Sequence, residues 1–420
     1  MAIAIFKIIM HILIVSCVFS PEPVTSAVTS EQLAIGLVKK GHRVTVITAF
    51  PNRPGGKLYP GYTRSWRKVE QTEAGYELIR TYSWLSTQPT VLSRLLENLS
   101  FGVASTLNAL SIKPDLVYAN TWPLFASGFL TALCSLRKLP LVINIQDIYP
   151  DAAIELGKFP SSGLLPQLLR SLDTWIAHQS ITLVTLSENF ARFYSKTRQV
   201  PPQKVHIVYN WLDDEEIKPG SRIGNFRNQQ NISEDTFLVM YAGNIGVNAG
   251  VEFVIEAATK LQDLPDVLFI IAGDGSCRKA CEDLAQKYEL ANLRFFYPLP
   301  KEEFSEVQAA ADLMILPTRK SGSLTSVPSK LIAYMLSGRT VLATVDEESD
   351  TARIIKEARC GVCVAPEDPD AIAKAIRMSI QIPDELNQMG QQARSYALQN
   401  FSSQVCLPKL ISILESAIQK

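Results

Sequence analysis

A lysine at the start of a short predicted helix is the residue of this chain best placed to bind an anion. Residues 326–339, SVPSKLIAYMLSGR, begin as a loop that Pro328 keeps out of a helix, continue as an amphipathic helix and end at Gly338. A cation in the first turn opposes the helix dipole unless an anion is bound there. Pro328, Ser329 and Lys330 therefore predict a site for an anion such as a diphosphate.

Two further cations precede this helix in the same strand-to-helix crossover. Arg319 and Lys320 follow a predicted strand over 313–316. A short cluster of cations, together with backbone N–H groups, can neutralise a diphosphate. Arg319 is therefore a second candidate for the anion site, although both residues also fit a loop whose charges are simply solvated.

Two glycine-containing turns follow predicted strands in the same half of the chain. The positions are Gly243, Asn244 and Gly246 in YAGNIG and Gly273, Asp274 and Gly275 in AGDGS. Glycine lets a ligand approach the backbone closely, and the helix after such a turn presents its N-terminus. Neither turn has the GxGxxG dinucleotide fingerprint. A plain strand-to-helix turn remains the alternative for the first, and N-capping by Asp274 for the second.

Asp147 is the candidate acid–base residue in the first half of the chain. It follows a predicted buried strand over 141–145, and α/β sheets bind ligands at the carboxyl ends of their strands. A carboxylate there could accept a proton from an incoming hydroxyl. The alternative is that Asp147 and Asp151 serve only a turn and a helix cap.

The composition excludes several classes of function. Lys+Arg and Asp+Glu both total 41, so nothing argues for a nucleic-acid partner. None of the four histidines has metal-ligand spacing to another histidine or a cysteine, and the CxxC of Cys360 and Cys363 lacks a second pair. We predict no metal site, and seven cysteines that act as small apolar residues in a reducing compartment.

Predicted strands and helices alternate along the chain, which indicates parallel, doubly wound α/β sheets. The predicted strands are 11–19, 43–48, 77–82, 116–119, 141–145, 181–185 and 206–210, then 237–242, 267–272, 293–296, 313–316, 341–343 and 361–364. We predict an N-terminal domain over 1–217, a polar linker over 218–235, a C-terminal domain over 236–395 and a helix over 396–420 that crosses back towards the first domain. A cleft between two such domains is the expected place for a ligand.

The apolar N-terminus can be interpreted as a signal peptide, a membrane anchor or a buried strand. The run over 1–19 is short for a span, and no small-residue cleavage site follows it cleanly. A strand over 11–19 is favoured, because a helix over 31–40 and a strand over 43–48 complete a βαβ unit. Residues 1–9 then precede the fold, with Met10 as an alternative start.

A second apolar segment, 84–110, contains only Arg94 and Glu97 as charged residues. Part of the predicted helix within it must face the core. An exposed apolar edge could rest on a membrane surface, although the basic face expected for such a helix is missing. Both interpretations stay open.

The motifs together resemble bacterial family 4 glycosyltransferases of the GT-B architecture, in the WbuB-like branch of surface-polysaccharide and O-antigen amino-sugar transferases. The resemblance covers nearly the whole chain, and the order of its motifs is far more specific than any single one. The motifs are GHRVTVIT with FPNRPGGKLYPGY, INIQDIYPDAAIELG, VHIVYNWLD, YAGNIGVNAGVEFVIEA, IAGDGS, AADLMILP, VPSKLIAYMLSGRTVLAT and CGVCVAPED.

The resemblance implies two Rossmann-like domains facing across a cleft. It implies a nucleotide-sugar donor, UDP-linked, in the C-terminal domain and a saccharide or polyprenyl-diphosphate-linked acceptor in the N-terminal domain. It also implies transfer with retention of anomeric configuration, no essential metal and no other cofactor. Such an enzyme is expected in the cytoplasm, with a membrane surface as a further partner on the inner face of the plasma membrane.

The resemblance also assigns residues to roles. It places Gly243, Asn244 and Gly246 at the donor phosphates or sugar, Gly273, Asp274 and Gly275 near the nucleoside, Arg319, Ser329 and Lys330 at the diphosphate, and Asp147 near the reacting sugar or acceptor. Many relatives carry two glutamates where this chain has Thr325 and Ala333, and an arginine and a lysine after the first glycine turn, where Asn248 stands here. Recognition of the ribose and of the sugar hydroxyls is therefore left open.

The expected mechanism is a same-face attack in which the departing UDP helps to deprotonate the acceptor hydroxyl, while cations and a helix N-terminus stabilise the charge on UDP. Two rivals remain. A UDP-sugar epimerase of the same architecture needs carboxylates and histidines as acid–base groups, and the low histidine content of this chain argues against it. A non-catalytic sugar-nucleotide-binding subunit would bind UDP without turnover, and the absence of the two glutamates keeps this alternative open.

Overall fold

The chain forms two compact units, one of Met1–Asn210 with Cys406–Lys420 and one of Trp211–Val405. The computed structural model describes residues 9–53, 55–87, 90–120, 123–155, 160–298, 303–320 and 327–418. Each unit holds its own sheet, in which the order of neighbouring strands departs from their order in the chain. The prediction of two doubly wound α/β domains is therefore confirmed.

The first unit is built on an eight-stranded sheet in the order β3-β4-β2-β1-β5-β6-β7-β8. Its strands are β1 His11–Val15, β2 Arg43–Ala49, β3 Arg67–Gln71, β4 Glu77–Thr81, β5 Leu116–Asn120, β6 Leu141–Ile145, β7 Thr182–Thr185 and β8 Val205–Ile207. Its helices are α1 Thr25–Lys39, α2 Val91–Ala109, α3 Leu124–Arg137, α4 Asp151–Glu155, α5 Leu164–Gln179 and α6 Glu188–Lys196. Only the β3–β4 pair is antiparallel among the strand pairs of the described residues.

The second unit is built on a six-stranded parallel sheet in the order β11-β10-β9-β12-β13-β14. Its strands are β9 Phe237–Ala242, β10 Val267–Ala272, β11 Leu293–Phe296, β12 Leu313–Pro317, β13 Val341–Thr344 and β14 Gly361–Val364. Its helices are α7 Asn225–Gln229, α8 Val251–Thr259, α9 Arg278–Lys287, α10 Phe304–Ala309, α11 Ser329–Leu336, α12 Asp350–Ala358, α13 Pro369–Ile380 and α14 Pro383–Asn400, and α15 Ser403–Ala417 ends in the first unit.

Two predicted elements in the N-terminal part of the chain differ from the structure in their bounds, and one strand is absent from the prediction. β1 ends at Val15 instead of residue 19, because the Ser16 hydroxyl donates to the Val18 carbonyl (2.7 Å) and turns the chain. α1 begins at Thr25 instead of residue 31, and Ala27 is already buried against the core. The sequence pattern does not predict β3, because this edge strand, RKVEQ, is largely exposed and lacks an apolar alternation.

Residues 218–235, whose composition predicts a linker, are folded into the second unit. They contain α7, whose Arg227 is fully buried. The Arg227 guanidinium lies 2.7 Å from the Asp312 carboxylate and donates to the Ala310 carbonyl (2.9 Å). The polar composition of this segment therefore predicts a linker wrongly, because its buried polar groups form hydrogen bonds and ion pairs within the unit.

All seven cysteines carry free thiols, and five of them are buried. Burial raises the pKa of Cys360 to about 12 and that of Cys363 to about 11, so the CxxC pair holds little thiolate at neutral pH. Within the described ranges, no helix combines the length and the apolar content that crossing a bilayer requires.

Candidate functional site

The crevice at the topological switch point of the second sheet brings most of the predicted site residues together. The chain runs outward from β9 through β10 to β11 and then returns to β12, on the other side of β9. β12 pairs with β9 only at Leu313–Val239 and Met314–Met240, so the two strands separate towards their carboxyl ends. Doubly wound sheets bind their ligands in crevices of this kind.

Tyr334 on α11 fills the gap between the separating strands. Its buried hydroxyl accepts the Ala242 N–H (3.0 Å) and donates to the Ala242 carbonyl (2.9 Å). These bonds hold α11 against the carboxyl end of β9. Sequence reasoning missed Tyr334, because a tyrosine on the apolar side of a helix is not distinguishable from ordinary core.

Lys330, in the first turn of α11, lies directly on the first glycine turn. Its Nζ donates to the Tyr241 hydroxyl (2.7 Å) and contacts the Asn244 carbonyl (3.4 Å). The Tyr241 hydroxyl in turn donates to the same carbonyl (2.6 Å). The aliphatic chain of Lys330 occupies the space beside Gly243, where an added Cβ would come within 2.4 Å of Lys330 Cε. The lysine side chain would have to shift if residue 243 carried a Cβ.

Lys330 is a half-buried cation that forms no ion pair with a carboxylate among the described residues. Burial lowers its pKa to about 8. α11 starts after Pro328, which is extended (φ −65°, ψ 136°) and forms no side-chain cap, and no acidic residue occupies the first turn. The first turn thus combines the positive end of a helix dipole with a cation, and both favour a bound anion. Ser329, the first residue of the helix, is partly exposed at the same point.

The two glycine turns are packed against each other. The Gly243 N–H donates to the Ala272 carbonyl (2.8 Å), and the Ile245 N–H donates to the Asp274 carbonyl (2.8 Å). A Cβ on Gly273 would lie 1.9 Å from the Gly243 carbonyl oxygen. Gly273 and Gly275 therefore allow the close approach of the first turn's backbone, at Gly243 and Ile245.

The polar residues of these turns remain accessible. Asn244 and Asp274 are both exposed. The Asp274 carboxylate accepts the Gly275 N–H (2.8 Å), and α9 begins at Arg278 after Cys277, so Asp274 does not cap that helix. Gly246 precedes a single 3-10 turn over Val247–Ala249.

Arg319 differs from the prediction because a carboxylate already engages it. Its guanidinium forms an ion pair with Glu252 in the first turn of α8 and lies 5.7 Å from the centre of the Phe253 ring. The sequence does not reveal this pair, whose members are 67 positions apart. Of the two predicted cations, Lys330 is therefore the one without an ion-pair partner among the described residues.

Asp147 belongs to the first unit. It is exposed just beyond β6, at the carboxyl edge of that sheet. Asp151 is instead held by Arg170 (2.9 Å) and Arg198 (2.5 Å). Of the two positions that lack the family's glutamates, Thr325 lies outside the described residues and Ala333 is buried in α11.

In the part of the chain that the structure describes, no three histidine, cysteine, aspartate or glutamate side chains group closely enough to hold a metal ion.

Family models match both halves of the chain. The model for glycosyl transferases group 1 matches residues 223–396, and the glycosyl transferase 4-like domain model matches residues 25–211. The first match contains the whole crevice at β9 and β12, and the second contains Asp147.

Individual relatives are similar over much or all of the chain. WcaI of Escherichia coli strain K12, named as a colanic acid biosynthesis glycosyl transferase, is 26% identical over 411 residues, which cover 96% of this chain and 99% of WcaI. The glycosyltransferase WbjE of Pseudomonas aeruginosa is 23% identical over 336 residues, or 78% of this chain and 81% of WbjE. Among solved structures, Anabaena HepE in complex with UDP and glucose superposes with a TM-score of 0.72 at 17% identity, covering 97% of this chain and 100% of HepE.

Proposed function

We propose that this chain, which is a glycosyltransferase of the GT-B, family 4 type, moves a sugar from a UDP-sugar to a saccharide or lipid-linked saccharide in surface polysaccharide biosynthesis. The observation that carries the donor assignment is Lys330, a half-buried cation at a helix start without a side-chain cap. A nucleoside diphosphate supplies the missing negative charge. UDP is chosen over other nucleotides because HepE, of the same fold, is described with UDP.

The proposed chemistry follows from where charge grows. As the glycosidic bond breaks, negative charge accumulates on the UDP phosphate that leaves, and the Lys330 ammonium and the first turn of α11 stabilise it there. The leaving phosphate then helps to deprotonate the acceptor hydroxyl on the same face of the sugar, so that anomeric configuration is retained. Asp147 is proposed to orient the acceptor. The resemblance to amino-sugar transferases supports an N-acetylated amino sugar as the group transferred, and the cationic helix start supports transfer without a metal.

Binding of UDP is expected to take up a proton above neutral pH. Burial lowers the pKa of Lys330 to about 8, so near pH 8.5 much of it is neutral in the free protein. A bound diphosphate favours the ammonium form and raises that pKa again, so affinity falls as the pH rises through 8. Calorimetric titration with UDP in two buffers of different ionisation enthalpy, at pH 7.0 and 8.5, measures the uptake.

The matched variant is Lys330→Met, which keeps the packing beside Gly243 and removes the charge. It should bind UDP weakly and show no difference between buffers beyond that of UDP itself. Calorimetric titration with GDP and dTDP tests whether the site prefers uracil over other bases. Proton uptake that is the same in wild type and Lys330→Met contradicts the role of Lys330. Isomerisation of a UDP-sugar without any acceptor would indicate the epimerase instead.

A membrane surface is a proposed partner because α2 exposes a stripe of apolar side chains. The exposed stripe is Leu92, Leu96, Val103, Leu107 and Leu110, at helical spacing, while Glu97 and Asn108 are buried on the opposite side. Glu97, the helix's one carboxylate, is paired with Arg53 and Arg94. The neighbouring α3, LFASGFLTALCSLR, has no acidic residue and ends at exposed Arg137 and Lys138. An apolar stripe with cations and without exposed carboxylates suits an anionic bilayer.

The double variant Leu96→Glu/Leu107→Glu is expected to bind vesicles of phosphatidylglycerol at least about tenfold more weakly. It removes two leucines that would insert into the bilayer and adds two negative charges that the anionic lipid repels. Cosedimentation with the vesicles at low salt measures the loss. Met378→Glu is the matched control, since Met378 is 61% exposed on α13 of the second unit. Equal binding by both variants, or none by the wild type, contradicts a membrane role for α2.

A further inference from the structure

A buried tyrosine hydroxyl lies in direct contact with the Lys330 ammonium. Tyr241 is the residue before the last one of β9, and its side chain is fully buried in the second unit. Lys330 Nζ donates to its hydroxyl (2.7 Å) and lies 4.9 Å from the centre of its ring. The function proposed above gives the lysine a role and the tyrosine none.

Packing in the core fixes where this hydroxyl lies. The Tyr241 ring belongs to the apolar cluster that joins β9, β10 and α8, and Tyr241 is paired with Ile271 of β10 in the parallel register. A ring that is already held by its neighbours loses little further freedom when its hydroxyl binds a partner. Lys330 reaches the same point through a flexible chain of four methylene groups. The tyrosine oxygen is therefore the rigid member of the pair.

The direction of the hydrogen bonds leaves the Tyr241 oxygen as an acceptor for the lysine. The single proton of the Tyr241 hydroxyl is donated to the Asn244 carbonyl (2.6 Å). The same carbonyl lies 3.4 Å from Lys330 Nζ. Two oxygens thus accept from an ammonium that has three N–H donors. Within the part of the chain that the structure describes, one N–H group of Lys330 is left for a ligand.

The titratable groups that act on the Tyr241 hydroxyl are neutral near pH 7. They are Tyr334 on α11 and Cys281 on α9. Burial raises the pKa of Cys281 to about 11 and that of Tyr334 well above its usual range. Burial also raises the pKa of Tyr241 itself, whereas it lowers the pKa of Lys330 to about 8. Of these four groups, Lys330 is the one that changes charge between about pH 7 and 9.

The carboxylates on the neighbouring elements have other partners. Glu252, at the start of α8, forms its ion pair with Arg319. The Asp274 carboxylate, after β10, accepts the Gly275 N–H (2.8 Å). Among the described residues, Lys330 is therefore held by neutral hydrogen-bond acceptors and not by an opposite charge.

We propose that Tyr241 is a positioning residue, which holds the Lys330 ammonium beside the first glycine turn and leaves one of its N–H groups to the donor diphosphate. The inference rests on the proposed transfer from a UDP-sugar, because it concerns the same anion site. An acceptor oxygen favours the charged form of an amine and so opposes the effect of burial. Because the tyrosine is neutral, it does this without the negative charge of a carboxylate, which would compete with the phosphates for the lysine.

The first test measures Lys330 in the full chain without a ligand. Trace acetylation of the lysines with acetic anhydride between about pH 6 and 10, followed by peptide mass spectrometry, gives the pH at which each amine becomes reactive. Tyr241→Phe keeps the ring and removes the hydroxyl, so the midpoint for Lys330 should move to lower pH by about one pH unit. The matched control is Tyr194→Phe, which removes an equally buried hydroxyl in the first unit, bonded to Asp173 (2.8 Å), and should leave that midpoint in place.

The second test is a double-mutant cycle on UDP affinity, measured by titration calorimetry at pH 7.5. Tyr241→Phe should weaken UDP binding by about tenfold, while Tyr194→Phe should bind UDP as the wild type does. If the tyrosine acts through the lysine, the variant that combines Tyr241→Phe with Lys330→Met should bind UDP within about twofold of Lys330→Met alone.

The two tests separate this inference from the proposed function. An unchanged acetylation midpoint of Lys330 in Tyr241→Phe, with UDP bound by the wild type, overturns the role of Tyr241 and leaves the donor assignment standing. A shifted midpoint in a protein whose wild type binds no UDP overturns the donor assignment. Additive losses of UDP affinity in the combined variant also overturn the inference, because the tyrosine then acts independently of the lysine.

Discussion

Lys330→Met is expected to lower kcat/KM for sugar transfer by about two to three orders of magnitude, the usual cost of removing one group that stabilises developing charge. The loss should fall mainly on kcat, because UDP carries more charge on its phosphates once the sugar has left than it does within the donor. Steady-state rates of UDP release with increasing donor measure both constants.

Two further variants separate charge from packing. Lys287→Met removes an exposed lysine at the end of α9 in the same unit and should leave transfer unchanged. Arg319→Met removes a cation that Glu252 already balances and should cost clearly less than Lys330→Met. A folded Lys330→Met protein that transfers within about threefold of the wild-type rate would remove the lysine from the mechanism.

The contrast between Lys330 and Arg319 shows what the sequence reveals about this site. The role of Lys330 depends on local features, since Pro328 sets the helix start and the lysine follows two positions later. Those signals are contained in one short segment. The state of Arg319 depends on Glu252, which only the packing of α8 beside β12 brings near, so no local pattern predicts the ion pair.

The same distinction applies to the fold. The strands β6, β9, β10, β11 and β14 are predicted at their observed bounds, because runs of apolar residues mark them. The exposed edge strand β3 and the short polar helix α7 with its buried Arg227 escape prediction, since each departs from the usual link between polarity and burial. α2 departs from that link in part, because several of its leucines are exposed while Glu97 is buried beside Phe101, and the sequence alone does not decide which side faces the core.

The second large effect is expected at the contact between the two glycine turns. Gly273→Ala would place a Cβ 1.9 Å from the Gly243 carbonyl oxygen, at φ +155°. The obstruction is backbone, so it cannot swing away as a side chain would, and the two turns must separate. We expect a loss of about 3 kcal/mol in unfolding free energy, or roughly 6–12 °C in melting temperature for a unit of this size.

Because Lys330 rests on the first of these turns, separating them should also displace its ammonium from the Tyr241 hydroxyl and weaken UDP binding by at least about tenfold. Scanning calorimetry with and without UDP measures both effects. The wild type should be stabilised by saturating UDP, and the Gly273→Ala protein should be stabilised much less at the same concentration.

Two glycine variants serve as controls that separate the steric clash expected in Gly273→Ala from the backbone strain of a positive φ. Gly224→Ala has an ordinary φ of −139° and its nearest neighbour at 3.6 Å, so it should be nearly neutral. Gly163→Ala has φ +116° with nothing within 4 Å of the added Cβ, so it reports backbone strain without a clash. The loss in unfolding free energy is expected to be smallest for Gly224→Ala, larger for Gly163→Ala and largest for Gly273→Ala. If Gly273→Ala destabilises no more than Gly163→Ala and binds UDP normally, the two turns do not hold each other in the donor site, and Lys330 must be positioned by Tyr241 and Tyr334 alone.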